Sequence, residues 1–590
     1  MNFIKRVFST VVGIFVFLGL FFLGIVILIT IGSLFSGSSE EVIQVKPNSV
    51  LDFKLNFPIN DYAGKTVYED YPFLNEDDKN GLFNLVDAIN YAKTDDKIKG
   101  VSIDNNFIMA GITQTKTLRD ALLDFKDSGK FIVAYADIFT QKDYYLSSVA
   151  DTVYMSPVGM MEFKGLYTER LYFKDFQEKS GIKMEVVRHG KYKSAVEPFL
   201  ENEMSDNNRD QISVYLNGLW SEIKKEVSES RNVDIEELDR IADSLLARTP
   251  KLAVSSKLVD KIAYHDEYID GLKNALEIPS DKKLNTVSIK DYTKYAAPKV
   301  KMSASKNKIA VIYAEGDIIY GEGEKGSVGH ITTNKAIQKA REDDKIKALV
   351  LRVNSPGGSA LASELIWREI ELTKQMKPVI VSMGDLAASG GYYIATNADK
   401  IIAEPTTITG SIGVFGTLPN FKNLADNMGI NAEQVATNAN AVTYSVFEPL
   451  NENQHRYIKE GVIDVYSLFT KRVAEGRNLT AEQVEEIAQG RVWTGNDALE
   501  KGLVDELGGL DLALQYAAEA AEIEDYKIKE YPVFEKNLDE MLEAFGLAKA
   551  KEQILEEELG AENYKLIKEV KRLSQKKGTQ LLFPFSTEIK

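Results

Sequence analysis

Ser389 stands in a run of small residues, Asp385-Leu386-Ala387-Ala388-Ser389-Gly390-Gly391-Tyr392-Tyr393. The apolar run 378–383 before it reads as a buried strand, and 392–398 can continue as a helix. A serine at such a strand-to-helix turn has the local design of a nucleophile. Its small neighbours let a substrate carbonyl approach the hydroxyl, and the N–H groups that follow can face a developing oxyanion. The same residues are also compatible with a tight turn that only packs.

A second Gly-rich turn after a strand, Asn354-Ser355-Pro356-Gly357-Gly358-Ser359, offers further donors. An oxyanion hole built from the N–H of Gly390 and one from Gly357 or Gly358 pairs a turn with a helix start. A third small-residue turn, Thr409-Gly410-Ser411-Ile412-Gly413, carries a serine whose hydroxyl could orient a basic group or merely serve the turn.

These segments belong to one fold written twice. Asp95-Asp96-Lys97-Ile98-Lys99 returns unchanged as Asp343-Asp344-Lys345-Ile346-Lys347, 248 positions later. At the same offset Tyr144-Tyr145 meets Tyr392-Tyr393, and Pro157 meets Pro405. Each copy alternates strands (100–103, 131–136; 348–353, 378–383) with helices (114–128; 359–375). That rhythm predicts βαβ units on a parallel sheet covered by helices, and so long a period means duplicated domains. The Lys-, Ser-, Pro- and Asn-rich stretch 279–308 reads as the linker between the copies. The first strands would be 309–313 and, in the earlier copy, 50–55.

The copies differ where chemistry would occur. Gln141-Lys142-Asp143 faces Ser389-Gly390-Gly391, and Asn106-Phe107-Ile108-Met109-Ala110-Gly111 faces the Gly357-Gly358 turn, so the first copy has neither nucleophile nor glycine turn. The loss is reversed further on. Tyr192-Lys193-Ser194-Ala195-Val196-Glu197-Pro198-Phe199 aligns, with a three-residue slip, to Thr443-Tyr444-Ser445-Val446-Phe447-Glu448-Pro449-Leu450, which sets Lys193 against Tyr444. Complementary loss is what two halves building one composite site would show.

A serine hydroxyl is a poor nucleophile until a base takes its proton. The four histidines, His189, His265, His330 and His455, lie in segments that the repeat does not mark. Lysine can serve if a desolvated pocket lowers its pKa. Lys193, among Tyr192, Ala195, Val196 and Phe199, is such a candidate. Lys191 is its rival, and the repeat alone does not choose between them.

Composition narrows the remaining classes. The 590 residues call for about two to four domains. Hydrophobic content of 44% with 27% charged residues describes a globular chain. A net charge of −17 with no basic domain argues against nucleic-acid binding. The absence of cysteine excludes thiol catalysis, cysteine-held metals and disulfides. With no phosphate-cradling Gly-Lys loop and no His-rich ligand set, neither cofactor nor metal is expected. Lys5 and Arg6 precede an uncharged apolar run, 7–34, long enough to cross a bilayer and longer than a signal-peptide core. The flanking charges put the N-terminus in the cytoplasm and everything after about residue 40 outside it. A cleaved signal peptide is the alternative, because Gly37-Ser38-Ser39 offers small residues.

The set Asn354 to Gly358, Ala388 to Tyr393, Thr409 to Gly413 and Tyr192 to Phe199 resembles, in order and spacing, the signal peptide peptidase A (protease IV) family in its long tandem-domain bacterial form. The resemblance runs from the anchor to about residue 525. It implies an α/β chain of two tandem ClpP/crotonase-like domains behind one transmembrane helix. The bounds would be 1–40 for N-terminus, anchor and linker, 41–278 and 309–530 for the domains, and 531–590 for a charged helical tail. It further implies a Ser/Lys dyad protease with Ser389 as nucleophile, Lys193 rather than Lys191 as general base, and Ser411 assisting the lysine. The partners implied are unfolded apolar peptides, chiefly remnant signal peptides. A homotetramer on the outer face of the inner membrane is implied as well. An acyl-CoA enzyme of the crotonase class would share the fold but needs neither this serine nor a lysine from the other copy. A silent membrane scaffold would need no site residues at all.

Overall fold

The computed structural model describes residues 43–68, 76–300, 305–536 and 579–582, together with positions 13, 17 and 20. The chain divides into two compact units, Met1–Val45 and Lys46–Lys590. In the first, positions 13, 17 and 20 are helical. Those three apart, the run 7–34 expected to cross a membrane lies outside the described residues. Among the described residues no helix is long and apolar enough to do so.

The second unit contains both copies. The first copy is a six-stranded parallel sheet in the order Lys261–Ile262, Thr152–Met161, Phe131–Phe139, Ile98–Asp104, Ser49–Phe53, Asn285–Ser288. The second copy repeats it. Val379–Ala388, Ile346–Ser355, Lys308–Glu315 and Lys527–Tyr531 lie side by side in parallel, and Lys400–Ala403 and Glu506–Leu507 continue from Val379–Ala388. The 248-residue offset is kept by the helices as well: Leu82–Thr94 matches His330–Glu342, and Ile112–Lys126 matches Ala360–Lys374.

The strands are apolar along their whole length because both faces of the sheet are covered. In the second copy, Ala310, Ile312, Leu349, Leu351, Val379 and Val381 enter one core. The alternate residues Ile309, Val311, Ala348, Val350 and Ile380 enter the other, against the helix Leu510–Ala520. Period-two alternation thus feeds two cores from one sheet. The helix Ala360–Lys374 starts where the Ser359 hydroxyl accepts the Ala362 N–H. It buries Ala362, Ile366 and Ile370, every fourth residue, on the sheet.

One expectation needs correcting. The stretch 279–308 is not a simple linker: it holds the strand Asn285–Ser288 and the helix Ile289–Val300. That strand pairs with Ser49–Phe53 as Lys527–Tyr531 pairs with Lys308–Glu315. It is an edge strand burying little more than Val287, so its polar composition hid it. The stretch 531–590, read as a helical tail, likewise carries two strands, Val533–Lys536 and Thr579–Leu582; residues 537–578, the charged part, lie outside the described residues.

The two copies are joined by sheets and by a buried polar network. Val533–Lys536 pairs with Lys65–Tyr68, and Lys183–His189 of the first copy pairs antiparallel with Val414–Asn420 of the second. Arg352 Nε donates to Asp61 at 2.7 Å, and Gln114 donates to the other Asp61 oxygen at 2.9 Å. Thr113 N–H donates to Asp385 at 2.7 Å, in the strand that leads to Ser389. Burial pushes the Asp385 carboxyl up to about 6 and that of Glu315, which accepts the Asp61 and Tyr62 N–H groups, up to about 7. Asp61 and Arg352 are both fully buried, so removing one charge strands the other. Asp61→Ala is therefore expected to lower unfolding stability by about 3–5 kcal/mol in a urea melt. A loss below about 1 kcal/mol would contradict this view of the interface.

Candidate active site

The strand Val379–Ala388 ends at Ser389, whose φ of 55° and ψ of −115° are strained for a residue with a side chain. The turn is fixed on both sides: Ser389 N–H donates to the Gly410 carbonyl at 2.8 Å, and Tyr393 N–H donates to the Ser389 carbonyl at 2.8 Å. The small residues expected around the serine are required by contact. A Cβ on Gly390 would meet Ser363 Oγ at 2.7 Å and Gly357 Cα at 3.1 Å, and one on Gly391 would meet the Ser355 carbonyl oxygen at 2.6 Å. In the first copy the matching Gln141 opens an ordinary helix capped by Thr140, without positive φ. The strained turn exists only where the serine does.

Lys193 reaches this serine from the other copy. His189, the last residue of its strand, pairs with Val414, so the loop that follows runs back along 411–413. Lys193 Nζ lies 2.7 Å from Ser389 Oγ, 3.0 Å from Ser411 Oγ and 3.0 Å from the Ser411 carbonyl oxygen. Lys193, Ser389 and Ser411 are all fully buried. Burial alone, with no carboxylate to offset it, pushes the Lys193 amine well below the usual lysine range. Lys191 is exposed. Of the two lysines left open by spacing, Lys193 is the one that lies beside Ser389.

The pocket around the lysine is not walled as expected. Val196 packs with Phe415 and, at the edge, Ala195. The Phe415 ring centroid is 6.0 Å from Nζ. Tyr192 instead lies against Arg491, and Phe199 against Phe173. Two glycines make the room: Gly413, met above only as part of the Ser411 turn, and Gly490, which sequence reasoning passed over. A Cβ on Gly490 would lie 2.7 Å from Lys193 N and 2.8 Å from its Cα, and one on Gly413 would lie 3.2 Å from its Cδ. Tyr192 N–H donates to the Gln489 carbonyl at 2.9 Å, tying the lysine loop to this corner. The visible signal was a Gly directly after a helical stretch, which reads as a stop and not as a seat.

The candidate oxyanion donors lie beside the serine. Gly357 and Gly358, with φ of 96° and 159°, bring backbone against Gly390. Gly357 N–H already donates to Ser355 Oγ at 3.1 Å, which favours Gly358 as the second donor. Gly357–Ser359 is a strand of a third sheet, whose order is Ser327–Gly329, Asp317–Ile319, Gly357–Ser359, Thr579–Leu582, Val414–Asn420, Lys183–His189. The histidines lie elsewhere. His189 lies tilted against Tyr466, His330 accepts the Gly321 N–H, His265 sits by Asp104, and His455 is exposed.

Comparison with known proteins places the chain in a peptidase family. The model of "Peptidase family S49" matches residues 124–278 and 371–524, one stretch in each copy. A protein named "Protease 4" from Haemophilus influenzae is 40% identical over 448 residues, 74% of this chain and 73% of its own. "Serine protease SPPA, chloroplastic" from Arabidopsis thaliana is 36% identical over 73% of this chain and 64% of its own. A "Putative signal peptide peptidase SppA" from Enterococcus faecium is 34% identical over 39% of this chain and 68% of its own.

Proposed function

The chain belongs to peptidase family S49 and is a serine protease, and on that footing we propose that it is a membrane-anchored endopeptidase in which Ser389 is the nucleophile and Lys193 the general base. The observation that carries this reading is the 2.7 Å approach of a buried, uncompensated lysine amine to a hydroxyl on a strained turn. Neutral Lys193 takes the Ser389 proton as Oγ attacks the scissile carbonyl carbon. The N–H groups of Gly390 and Gly358 hold the resulting oxyanion, and Gly357 shapes the turn that presents Gly358. The lysine ammonium then protonates the leaving amine. Neutral again, it activates the water that releases the acyl group from Ser389. Ser411 assists throughout, its hydroxyl and carbonyl oxygens holding the amine on line.

The substrates are unfolded apolar peptides, remnant signal peptides foremost, read through their backbone as an added strand with small side-chain pockets setting preference. The name of the Enterococcus relative and the apolar run 7–34 support this setting. On the family resemblance the protein works as a homotetramer of two ClpP-like domains per chain, outside the cytoplasmic face of the bacterial inner membrane.

Hydrolysis of a fluorogenic apolar peptide is expected from the wild type and from Lys191→Ala, and to be absent in folded Ser389→Ala and Lys193→Ala. Turnover by Lys193→Ala at the wild-type rate would overturn the assignment. Because only the neutral amine accepts a proton, kcat should rise with pH through the lowered lysine pKa and then level off. A profile flat from about pH 6 to 9, with chemistry rate-limiting, would count against lysine as base.

A further inference from the structure

The strand that delivers the serine is interrupted just before it. Val353 stands opposite Met383 and Ser355 opposite Ala387, so Gly384, Asp385 and Leu386 bulge against the single residue Asn354. Beyond the bulge the strand takes a new neighbour, with Leu386, Ala387 and Ala388 paired to Ile408, Thr409 and Gly410. The backbone of the bulge is tied to its own copy. Leu386 N–H donates to Asn354 Oδ1 at 3.2 Å, and the Thr407 hydroxyl donates to the Gly384 carbonyl at 2.8 Å. The Asp385 side chain is held from the other copy.

Asp385 Oδ1 accepts, at 2.7 Å, the N–H of Thr113, the second residue of the helix Ile112–Lys126. That donor is one of those a helix start leaves without an intrahelical acceptor, and Gly111 at the cap position has no side chain to take it. The fit is close: a Cβ on Gly111 would fall 2.2 Å from Asp385 Cγ and from both its oxygens. Gly111 has an ordinary φ of −70°, so contact and not backbone strain calls for glycine here. Thr113 Oγ1 also lies 2.9 Å from Thr406 Oγ1, a second link across the same joint. At the 248-residue offset Asp385 matches Asp137, which is exposed and accepts the hydroxyl of Tyr135, in its own strand, at 3.0 Å. The bond to the other copy belongs to the strand that carries the serine.

We infer that Asp385 is a positioning residue, which sets Ser389 against Lys193 by capping a helix of the copy that supplies the lysine. The inference rests on the protease reading for the roles of those two residues. The 2.7 Å between Lys193 Nζ and Ser389 Oγ is a distance between copies, so whatever fixes one copy on the other beside the serine fixes that distance. Asp385 lies four residues before Ser389, and the paired stretch 386–388 carries its place on to the turn. A bulge has lost its ladder and can shift; a charge-assisted bond to a helix N-terminus holds it. A shift of about 1 Å at Oγ is enough to cost about 10²-fold in turnover while leaving peptide binding in place.

The test compares the full-length wild type with Asp385→Ala, Asp385→Asn, Gly111→Ala and the double variant of Gly111→Ala with Asp385→Ala, each checked for folding by a urea melt. The inference predicts that Asp385→Ala and Gly111→Ala each lower kcat for the fluorogenic peptide by about 10²-fold at nearly unchanged KM. Asp385→Asn, whose amide oxygen still accepts the Thr113 N–H, keeps kcat within about fivefold of the wild type. The double variant is no slower than Asp385→Ala alone, because the atoms that the new methyl would strike are gone. Wild-type kcat in Asp385→Ala overturns the inference, and so does a double variant in which the two losses multiply. An Asp385→Asn as slow as Asp385→Ala overturns it too, since the accepted bond would then not be what matters. If Asp385→Ala does not fold, Asp385→Asn and Gly111→Ala decide: a fast first and a slow second support the cap, and equal rates overturn it. Hydrogen exchange at the Thr113 amide, faster in Asp385→Ala and in Gly111→Ala, reads the contact without any turnover. A wild type that cleaves nothing strikes the protease reading, whereas unchanged exchange strikes the cap, so the two failures are distinct.

Discussion

Lys193→Met is expected to abolish peptide hydrolysis, by about 10⁴-fold or more, and yet to raise unfolding stability at neutral pH. The wild-type site holds an amine in a fully buried place where burial pushes its pKa well below the usual range. In the unfolded chain that amine returns to about 10.4. Between these two values the unfolded state binds one proton more than the native state, so wild-type stability rises with pH, by up to about 1.4 kcal/mol per unit. Methionine fills a similar volume and binds no proton. The advantage of Lys193→Met should therefore be largest at low pH and vanish as pH approaches the ordinary lysine value. Urea melts of both proteins at several pH values measure it. A variant less stable than the wild type by a pH-independent margin would show that the lysine is not held neutral.

Gly490→Ala should also damage turnover, by about 10²-fold, without replacing Ser389, Lys193 or Ser411. The new Cβ would fall 2.7–2.8 Å from the backbone and Cβ of Lys193, at a φ of 83° that already disfavours a side chain. The lysine loop must move, and a displacement of about 1 Å at Nζ is enough to cost about 10²-fold in kcat. Gly429→Ala is the control: its φ is 76°, but nothing lies within 4 Å of the added methyl. It should carry the conformational cost alone and keep wild-type turnover. Equal kcat in Gly490→Ala and the wild type would mean that this corner does not position the base.

The serine turn and the duplication were legible because both are local. Small residues around Ser389 and an unchanged five-residue repeat need no tertiary knowledge, and the 248-residue offset carries through to strands and helices alike. The choice of Lys193 over Lys191 was not local. It follows from the turn at 190–192 that breaks off the strand Lys183–His189, which leaves one lysine in solvent and brings the other against Ser389 of the second copy. Gly490 was invisible for the same reason: its partner is 297 positions away, and a Gly after a helix has a commoner explanation. The strand Asn285–Ser288 was missed because an edge strand buries too little to leave an apolar pattern. The strand Thr579–Leu582 was missed because its pairing partners lie more than 160 residues earlier.

The claim that the two halves share one catalytic site is tested most directly by labelling Ser389 with a fluorophosphonate and following the rate by mass spectrometry. The wild type and Lys191→Ala should label at Ser389 at the same rate, faster as pH rises. Lys193→Ala should label there at least about 10²-fold more slowly at every pH, because the base that activates the hydroxyl comes from the other copy. Labelling of Ser389 in Lys193→Ala at the wild-type rate, with the same pH dependence, would contradict a shared site.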